Sequence, residues 1–563
     1  MKSSKKILIL FFLLILSISK AGAENFIPEQ PVITLEEIRP GMTGYFLTVL
    51  KGTESQKIPV RIISVINQKP GTKIPAVILV KILNGVKLAE GMSGSPVFLK
   101  NKLAGAVRGG WENSDQTMAL VTPIESMLKI FSEKFIALPS QEKNLLNKIS
   151  VSGVSAEALE KSTGLKFSQA PSFSQGPLEI QDYQFKPGDA VAALLAWGDV
   201  EIASAGTITA TDKNGKFLAF GHDFLKKGAV KFPAARVFVH DTVNSSSFPF
   251  KLASPIAING MITHDTEAGI AGRVGVFPPS YSAELVFKNL DNGTQKKYSF
   301  RVFPDEFLTP KILEGVFTGL LNDAWSLNGQ ATMKVNLRID GRNIKNGFAR
   351  RDIFFADNKI VEAALKDSLE IIKAYLTQPF SSTMPAGFSL TVEATQNPDV
   401  LMIEDINTVS HANPGEEFSV KVKLRPWRGK PFTKNFKLKI PEDAEGVCEL
   451  VVRGGSVEPL TQVAVNEGWK NIDSLERMLK ELQAADSNNQ LIIELNGDAL
   501  GDALRKALSK KDNDYDENDD LLPEQKEFLS ETKARRIKEQ TLKIFSSEYF
   551  IDGMMKRIIH VEK

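Results

Sequence analysis

From about Thr34 to Phe131 the apolar positions come in short runs bounded by proline, glycine and asparagine. Val60, Ile62 and Val65, followed by Ala76-Val77-Ile78-Leu79-Val80, predict strands. Ile124, Met127, Leu128 and Phe131 share a face at helical spacing, so a closing helix is expected over Pro123–Phe131. Residues 136–185 are less regular. A short helix is expected around Ala156–Ser162, and Ser, Pro, Gln and Gly then concentrate in a linker from Ser168 to Pro177. Strand patterning returns at Ala190–Trp197 and Glu201–Ala210.

Further along, Ile360, Ala363, Ala364, Leu369 and Ile372 predict a helix over Asp357–Leu376. Phe388–Val452 reads as strand again: Phe418, Val420, Val422 and Leu424 alternate with Ser and Lys, and Phe436, Leu438 and Ile440 do the same. An immunoglobulin-like sandwich is expected there. Asp473 or Ser474 then caps a helix carrying Ile472, Leu475, Leu479 and Leu482 on one face, and Leu491–Leu495 predicts a strand. A charged helix from Pro523 to about Ile544 and a hairpin turning at Asp552-Gly553 close the chain.

At 563 residues the chain has room for three or four domains. With 42% hydrophobic and 24% charged residues it is ordinary globular protein, neither disordered nor membrane-embedded. A formal net charge of +2, with no Lys/Arg face interleaved with aromatics, argues against a nucleic-acid partner. Lys2, Lys5 and Lys6, the apolar run Ile7–Ile18 and the small residues Ala21-Gly22-Ala23 make a signal peptide, with the mature chain beginning near Glu24. An uncleaved N-terminal anchor is the alternative. Export permits disulfides, but Cys448 is the only cysteine and forms no internal bridge. The expected location is exported, periplasmic or extracellular.

Two stretches carry candidate chemistry. In Gly91-Met92-Ser93-Gly94-Ser95-Pro96 glycines flank the Met92-Ser93 pair, and the strand-like runs Val97–Leu99 and Leu103–Val107 follow. Such a turn lifts the Ser93 hydroxyl clear and can leave the Gly91 and Ser93 N–H groups aimed at one spot, as acyl transfer requires. The structural alternative is a tight hairpin entry. In Phe217-Leu218-Ala219-Phe220-Gly221-His222, a histidine at a strand end suits a general base; a capping or packing histidine is the alternative. Asp512–Asp516 opens like a calcium loop but has Glu517 and Pro523 where a glycine and a glutamate belong, so it reads as a solvated acidic linker. His240 and His264 lack zinc-ligand spacing, and neither metal nor cofactor is expected.

The run GMSGSPVFLKNKLAGAV resembles the nucleophile segment of chymotrypsin-like serine proteases and, more closely, the SpoIVB family of bacterial serine peptidases. The likeness extends through Arg39–Gly44, Leu47–Val49, Lys51–Glu54, Ile58–Ile66 and Leu120–Leu128. Gly215–Phe224 resembles that family's histidine-bearing element, and Gly260–Thr263 with Ala268–Arg273 continues the match. The resemblance implies Ser93 as nucleophile, His222 as base, and Gly91 and Ser93 as oxyanion donors. Here Ser93 precedes His222, the reverse of the family order, so the two halves look circularly permuted. A PDZ-like segment, which that family carries, is not evident. The family's aspartate shortly before the serine motif is also missing, since Ile78–Asn84 holds no carboxylate. Asp265 is the best substitute by position and Asp199 the second; either also suits a turn.

The expected fold is mainly β and multidomain. The plan is a signal peptide (1–23), a Ser-bearing barrel (24–135), a linker (136–185), a His-bearing barrel (186–304), a mixed α/β connection (305–385), a sandwich (386–460) and a C-terminal α/β segment (461–563). The expected function is an exported serine endopeptidase acting on a protein or peptide substrate in the cell envelope. The alternative is a non-catalytic binding or scaffold protein with the same barrels. A secreted esterase of another fold lacks its strand–turn–helix nucleophile elbow. No integral membrane segment is expected after signal cleavage, and the oligomeric state stays open.

Overall fold

The computed structural model describes residues 25–69, 71–132, 149–171, 178–245, 248–342, 344–345, 347–381, 385–455, 472, 474–496 and 540–562. The expected signal segment, the acidic stretch at Asp512–Asp516 and most of the helix expected from Pro523 lie outside them. Among the described residues the fold is mainly β, with 51% strand against 15% helix. It divides into two compact units: one runs to Ser280 and adds Phe300–Ile312, the other holds Tyr281–Ser299 and Leu313 onward.

In the first unit, β1 (Thr43–Val49), β2 (Ser55–Asn67), β3 (Ala76–Ile82), β4 (Pro96–Leu99), β5 (Lys102–Gly109) and β6 (Met118–Pro123) close a barrel in the order β1-β2-β3-β6-β5-β4. The period-two pattern does what it predicts: Ile58, Val60 and Ile62 of β2 point inward with Phe46, Ile78, Val80, Val97 and Val121. Each fully buried aliphatic side chain of this kind contributes about 2 kcal/mol. The expected closing helix is a single turn, Ile124–Met127, followed by a 3-10 turn at Ile130–Ser132.

Three short strands follow, β7 (Ile149–Ser152), β8 (Phe167–Gln169) and β9 (Glu179–Ile180), with the expected short helix at Ala156–Thr163, which ends on Gly164 at φ +75°. Next come β10 (Ala190–Gly198), β11 (Glu201–Thr211), β12 (Lys216–Ala219), β13 (Gly228–Val243), β14 (Phe250–Thr266) and β15 (Gly269–Val274). These six also close a ring, pairing antiparallel in the order β10-β13-β14-β15-β12-β11 and back to β10. The alanine-rich β10 suits this packing, because it is buried on both faces and partners Ala235 and Ala234 of β13. The two barrels share a core: Phe98, Leu103, Ala106, Ile124 and Met127 of the first pack in one cluster with Ala210, Leu218, Ala268 and Ala271 of the second.

In the second unit, the expected helix forms at Ile360–Thr377, and an unexpected one at Leu308–Trp325 begins in the last residues of the first unit. Pro385–Thr395 does not belong to the sandwich; it pairs with Tyr281–Asn289 and Ala331–Gly341. The sandwich starts at Val400 and takes its remaining strands from the C-terminal segment. Val400–Asn407, Glu417–Pro426, Phe432–Lys439 and Phe550–Asp552 form one sheet; His411–Ala412, Gly446–Gly454, Gln490–Asn496, Leu542–Ser546 and Met554–Val561 form the other. Val420, Val422 and Leu424 face Leu450, Val452 and Ile493 in its core. Asp552-Gly553 is therefore no hairpin. Phe550–Asp552 pairs with one sheet and Met554–Val561 with the other, so Gly553, at φ +104°, marks a crossing. Leu542–Ser546 is strand where the helix was expected to end. Among the described residues no helix is long and apolar enough to cross a membrane.

Candidate functional site

The junction of the two barrels is built around Gly94. Its φ is +89°, and a Cβ there would lie 2.0 Å from the Thr207 carbonyl oxygen and 2.4 Å from the Phe220 nitrogen. Only glycine allows β11 and the end of β12 to come this close to the serine turn. The turn is then clasped from the second barrel. The Thr207 N–H donates to the Ser93 carbonyl at 2.8 Å, the Thr207 hydroxyl to the Gly91 carbonyl at 3.0 Å, and the Thr209 hydroxyl to the Gly94 carbonyl at 2.7 Å. Its own barrel holds it through the Gly94 N–H, which donates to the Val107 carbonyl at 2.7 Å.

His222 arrives at the same junction. Phe220 and Gly221 both have positive φ, +68° and +67°, which turns the chain sharply after β12. The Gly221 carbonyl accepts from the Thr122 hydroxyl of β6 and from Arg108 of β5, so the first barrel holds the residue before His222. Gly94, next to Ser93, thus approaches Phe220, two residues before His222.

Ser93 is 7% exposed and His222 1%. Neither the Ser93 Oγ nor the His222 Nε2 has a hydrogen-bond partner, so the two are not bonded to each other. The other ring nitrogen is engaged, with Nδ1 lying 2.6 Å from the Asp223 carbonyl oxygen. A carbonyl can only accept, so Nδ1 carries the hydrogen and Nε2 presents a lone pair. Burial pushes the imidazolium down to about 4, with the nearby Arg108 guanidinium adding to the effect and Asp223 opposing it. At neutral pH the ring is an uncharged base.

The oxyanion candidates are also free. No described residue accepts from the Gly91 or Ser93 N–H. The carbonyl sharing a peptide with each is anchored: Glu90 C=O accepts from the Lys251 N–H at 3.1 Å, and Met92 C=O from the Ser95 N–H at 3.0 Å. In a trans peptide the N–H points opposite its carbonyl, so these bonds set both donor directions. Ser95 itself is fully buried, its hydroxyl 3.4 Å from that of Thr207, and so belongs to the packing.

Asp265 does not reach the ring. Its carboxylate accepts from the N–H groups of Phe224, Leu225 and Lys227 at 2.7, 2.8 and 3.2 Å, and burial pushes it up to about 6. It braces the loop that follows His222 rather than orienting the imidazole. Asp199 lies in the β10–β11 turn and likewise makes no bond to His222. The position expected of an acid is taken by the Asp223 main-chain carbonyl. His240 meets the Ser254 hydroxyl and His264 that of Thr263; among the described residues no cluster could hold a metal ion.

One residue at this site is not marked by any sequence pattern. Lys251, at the start of β14, is 8% exposed and donates from Nζ to the Gly91 carbonyl and the Thr48 hydroxyl, each at 2.8 Å. Compared with models of known protein families and with curated protein sequences, the chain finds no match.

Proposed function

We propose that the chain is an exported serine peptidase of the SpoIVB type, with its halves in reversed order, acting on a protein or peptide in the cell envelope. The observation that carries this reading is the pair of buried, unpartnered atoms, Ser93 Oγ and His222 Nε2, delivered to one barrel junction with the ring's tautomer set for proton acceptance. In the proposed reaction the Ser93 Oγ attacks the scissile carbonyl carbon and its proton passes to Nε2. The carbonyl oxygen, now negative, is received by the Gly91 and Ser93 N–H groups. Collapse of the tetrahedral species breaks the C–N bond, and Nε2 returns the proton to the leaving amine. Water then hydrolyses the acyl-serine by the same route in reverse.

The Asp223 carbonyl stands in for the acid in one respect only. It fixes the tautomer and ring orientation, but it carries no full charge to stabilise the imidazolium. Turnover is therefore expected to be slow compared with a carboxylate triad. The deep burial of both side chains supports a second reading, a non-catalytic binding or scaffold protein that retains the barrels. A fluorophosphonate probe separates the two. Covalent labelling of wild-type protein at Ser93, found by peptide mass analysis and absent in Ser93→Ala, supports the peptidase. No labelling of correctly folded protein between pH 5 and 9 supports the scaffold.

A further inference from the structure

The strands β13 and β14 outrun the second barrel and form an arm along the first. In the arm Val243 pairs with Phe250, Thr242 with Lys251 and Asp241 with Leu252. It is bound to the loop after β1: Gly52 and Val239 exchange N–H···O bonds of 2.7 and 2.9 Å, the Thr242 hydroxyl donates to the Leu50 carbonyl at 3.0 Å, and Lys51 pairs with Asp241 at 3.2 Å. It is bound again beside the serine turn, where the Glu90 N–H donates to the Pro249 carbonyl at 2.8 Å.

Lys251 is the point at which this arm meets the site. Its main-chain N–H holds the Glu90 carbonyl at 3.1 Å and its Nζ holds the Gly91 carbonyl at 2.8 Å. One residue thus grips two consecutive carbonyls, the two that flank the Gly91 N–H. Its stem packs on the same glycine, since a Cβ on Gly91 would lie 3.0 Å from the Lys251 Cδ. Among the described residues no carboxylate pairs with this ammonium; Thr48 and Gly91 supply neutral oxygens only. A buried cation without a counter-ion is unfavourable for stability, so Lys251 is a poor choice as mere core filling. Burial pushes it down to about 7.

We propose that Lys251 is a positioning residue for the oxyanion site: carried in by the β13–β14 arm, it sets the Gly91 N–H direction, so that docking of the arm controls the reactivity of Ser93. This rests on the Ser–His reading above. Lys251 does not touch the reacting atoms. It acts through the two carbonyls.

The experiment compares wild-type protein, Lys251→Met and Lys251→Gln with a fluorophosphonate probe. It separates the maximal labelling rate at Ser93 from the half-saturating probe concentration and follows Tm in parallel. The Met variant keeps the length and apolar stem but loses the donor. Its maximal rate is expected to fall about tenfold or more, less than the roughly hundredfold loss when an oxyanion donor is removed outright. Half-saturation should be unchanged and Tm not lowered, and the 31P shift of the Ser93 adduct should move, because its phosphonyl oxygen occupies the oxyanion position. Gln, which restores a shorter N–H donor, is expected to recover part of the rate. A Met variant that labels at the wild-type rate overturns the inference while leaving the Ser–His reading intact. A rate loss matched by a fall in Tm overturns it too, since a purely structural role accounts for that. Wild-type protein that does not label at Ser93 removes both. If the Met variant fails to fold, Gln decides: an unreduced rate with an unshifted 31P signal overturns the inference.

Discussion

His222 couples the chemistry of the site to the stability of the fold through one proton. The ring is 1% exposed, its Nδ1 donates to the Asp223 carbonyl, and burial moves its pKa from 6.5 to about 4. Arg108 and Asp223 are the charged groups acting on it, with opposite signs. The folded value lies below the unfolded one, so between pH 6.5 and 4 the unfolded chain binds the proton first. Stability from this group is complete above 6.5 and is lost as the pH falls. Each pH unit between the two values is worth about 1.36 kcal/mol, so the loss is about 2 kcal/mol at pH 5 and about 3 kcal/mol at pH 4. Urea unfolding of wild-type protein and His222→Gln at pH 7, 6, 5 and 4 isolates the effect, because other acid-titrating groups cancel in the difference. The lowered pKa also sets the reactivity: Ser93 labelling should titrate with a midpoint near 4 and stay level from pH 6 to 8. A labelling midpoint near 6.5, or a His222→Gln variant that loses stability in parallel with wild type, would refute the reasoning.

Other substitutions have opposite expected signs. Ser93→Ala should abolish labelling and leave stability unchanged or raised by up to about 1 kcal/mol, because it removes a buried hydroxyl without a partner; Ser95→Ala should keep labelling and cost under about 1 kcal/mol, both read by probe and urea titration. Gly94→Ala places a methyl 2.0 Å from the Thr207 carbonyl at a φ of +89°, and a loss of about 3 kcal/mol or more is expected in Tm and urea midpoint. In the second unit, Arg350 donates to the carbonyls of Leu482, Ala485 and Asp486 and pairs with Asp352 at 3.0 Å, both side chains 5% exposed. Arg350→Met strands that buried carboxylate, with an expected cost of about 3–5 kcal/mol in thermal unfolding.

Much of the fold was legible because its information is local. Alternation in β2 and in Glu417–Pro426 states which residues face a core, and the glycines at 91 and 94 state that the chain turns. What was not legible is pairing at a distance. Nothing near Phe388 says that Pro385–Thr395 joins Tyr281–Asn289, or that the sandwich waits for strands after residue 490. The helix Leu308–Trp325 escaped for another reason. Its apolar stripe is present in Ile312, Leu313, Val316, Phe317, Leu320 and Leu321, all buried, but Pro310, Gly315 and Gly319 are poor helix formers and mask it. At the site, Ser93 and His222 announced themselves by their neighbours, whereas the group that orients the ring is a main-chain carbonyl, which has no residue type to read. Lys251, between Phe250 and Leu252, reads as the polar half of an alternating strand and is buried all the same.

The way the site is built bears on the proposed reversal of the two halves. Each barrel closes on its own hydrogen bonds, so neither needs the other to complete a sheet. What they exchange is end groups: Thr207 and Thr209 hold the serine turn, Thr122 and Arg108 hold the residue before His222, and Lys251 holds the carbonyls around Gly91. All these contacts cross the junction, and none follows the chain. A site assembled this way depends on docking geometry alone, so the link between the barrels can move without moving the Ser93 hydroxyl or the His222 ring. The same reasoning locates its weak point. Separation of the barrels by about 1 Å at Gly94 would stretch the serine clasp beyond hydrogen-bond range and loosen the hold on the residue before His222, so loss of reactivity should precede global unfolding.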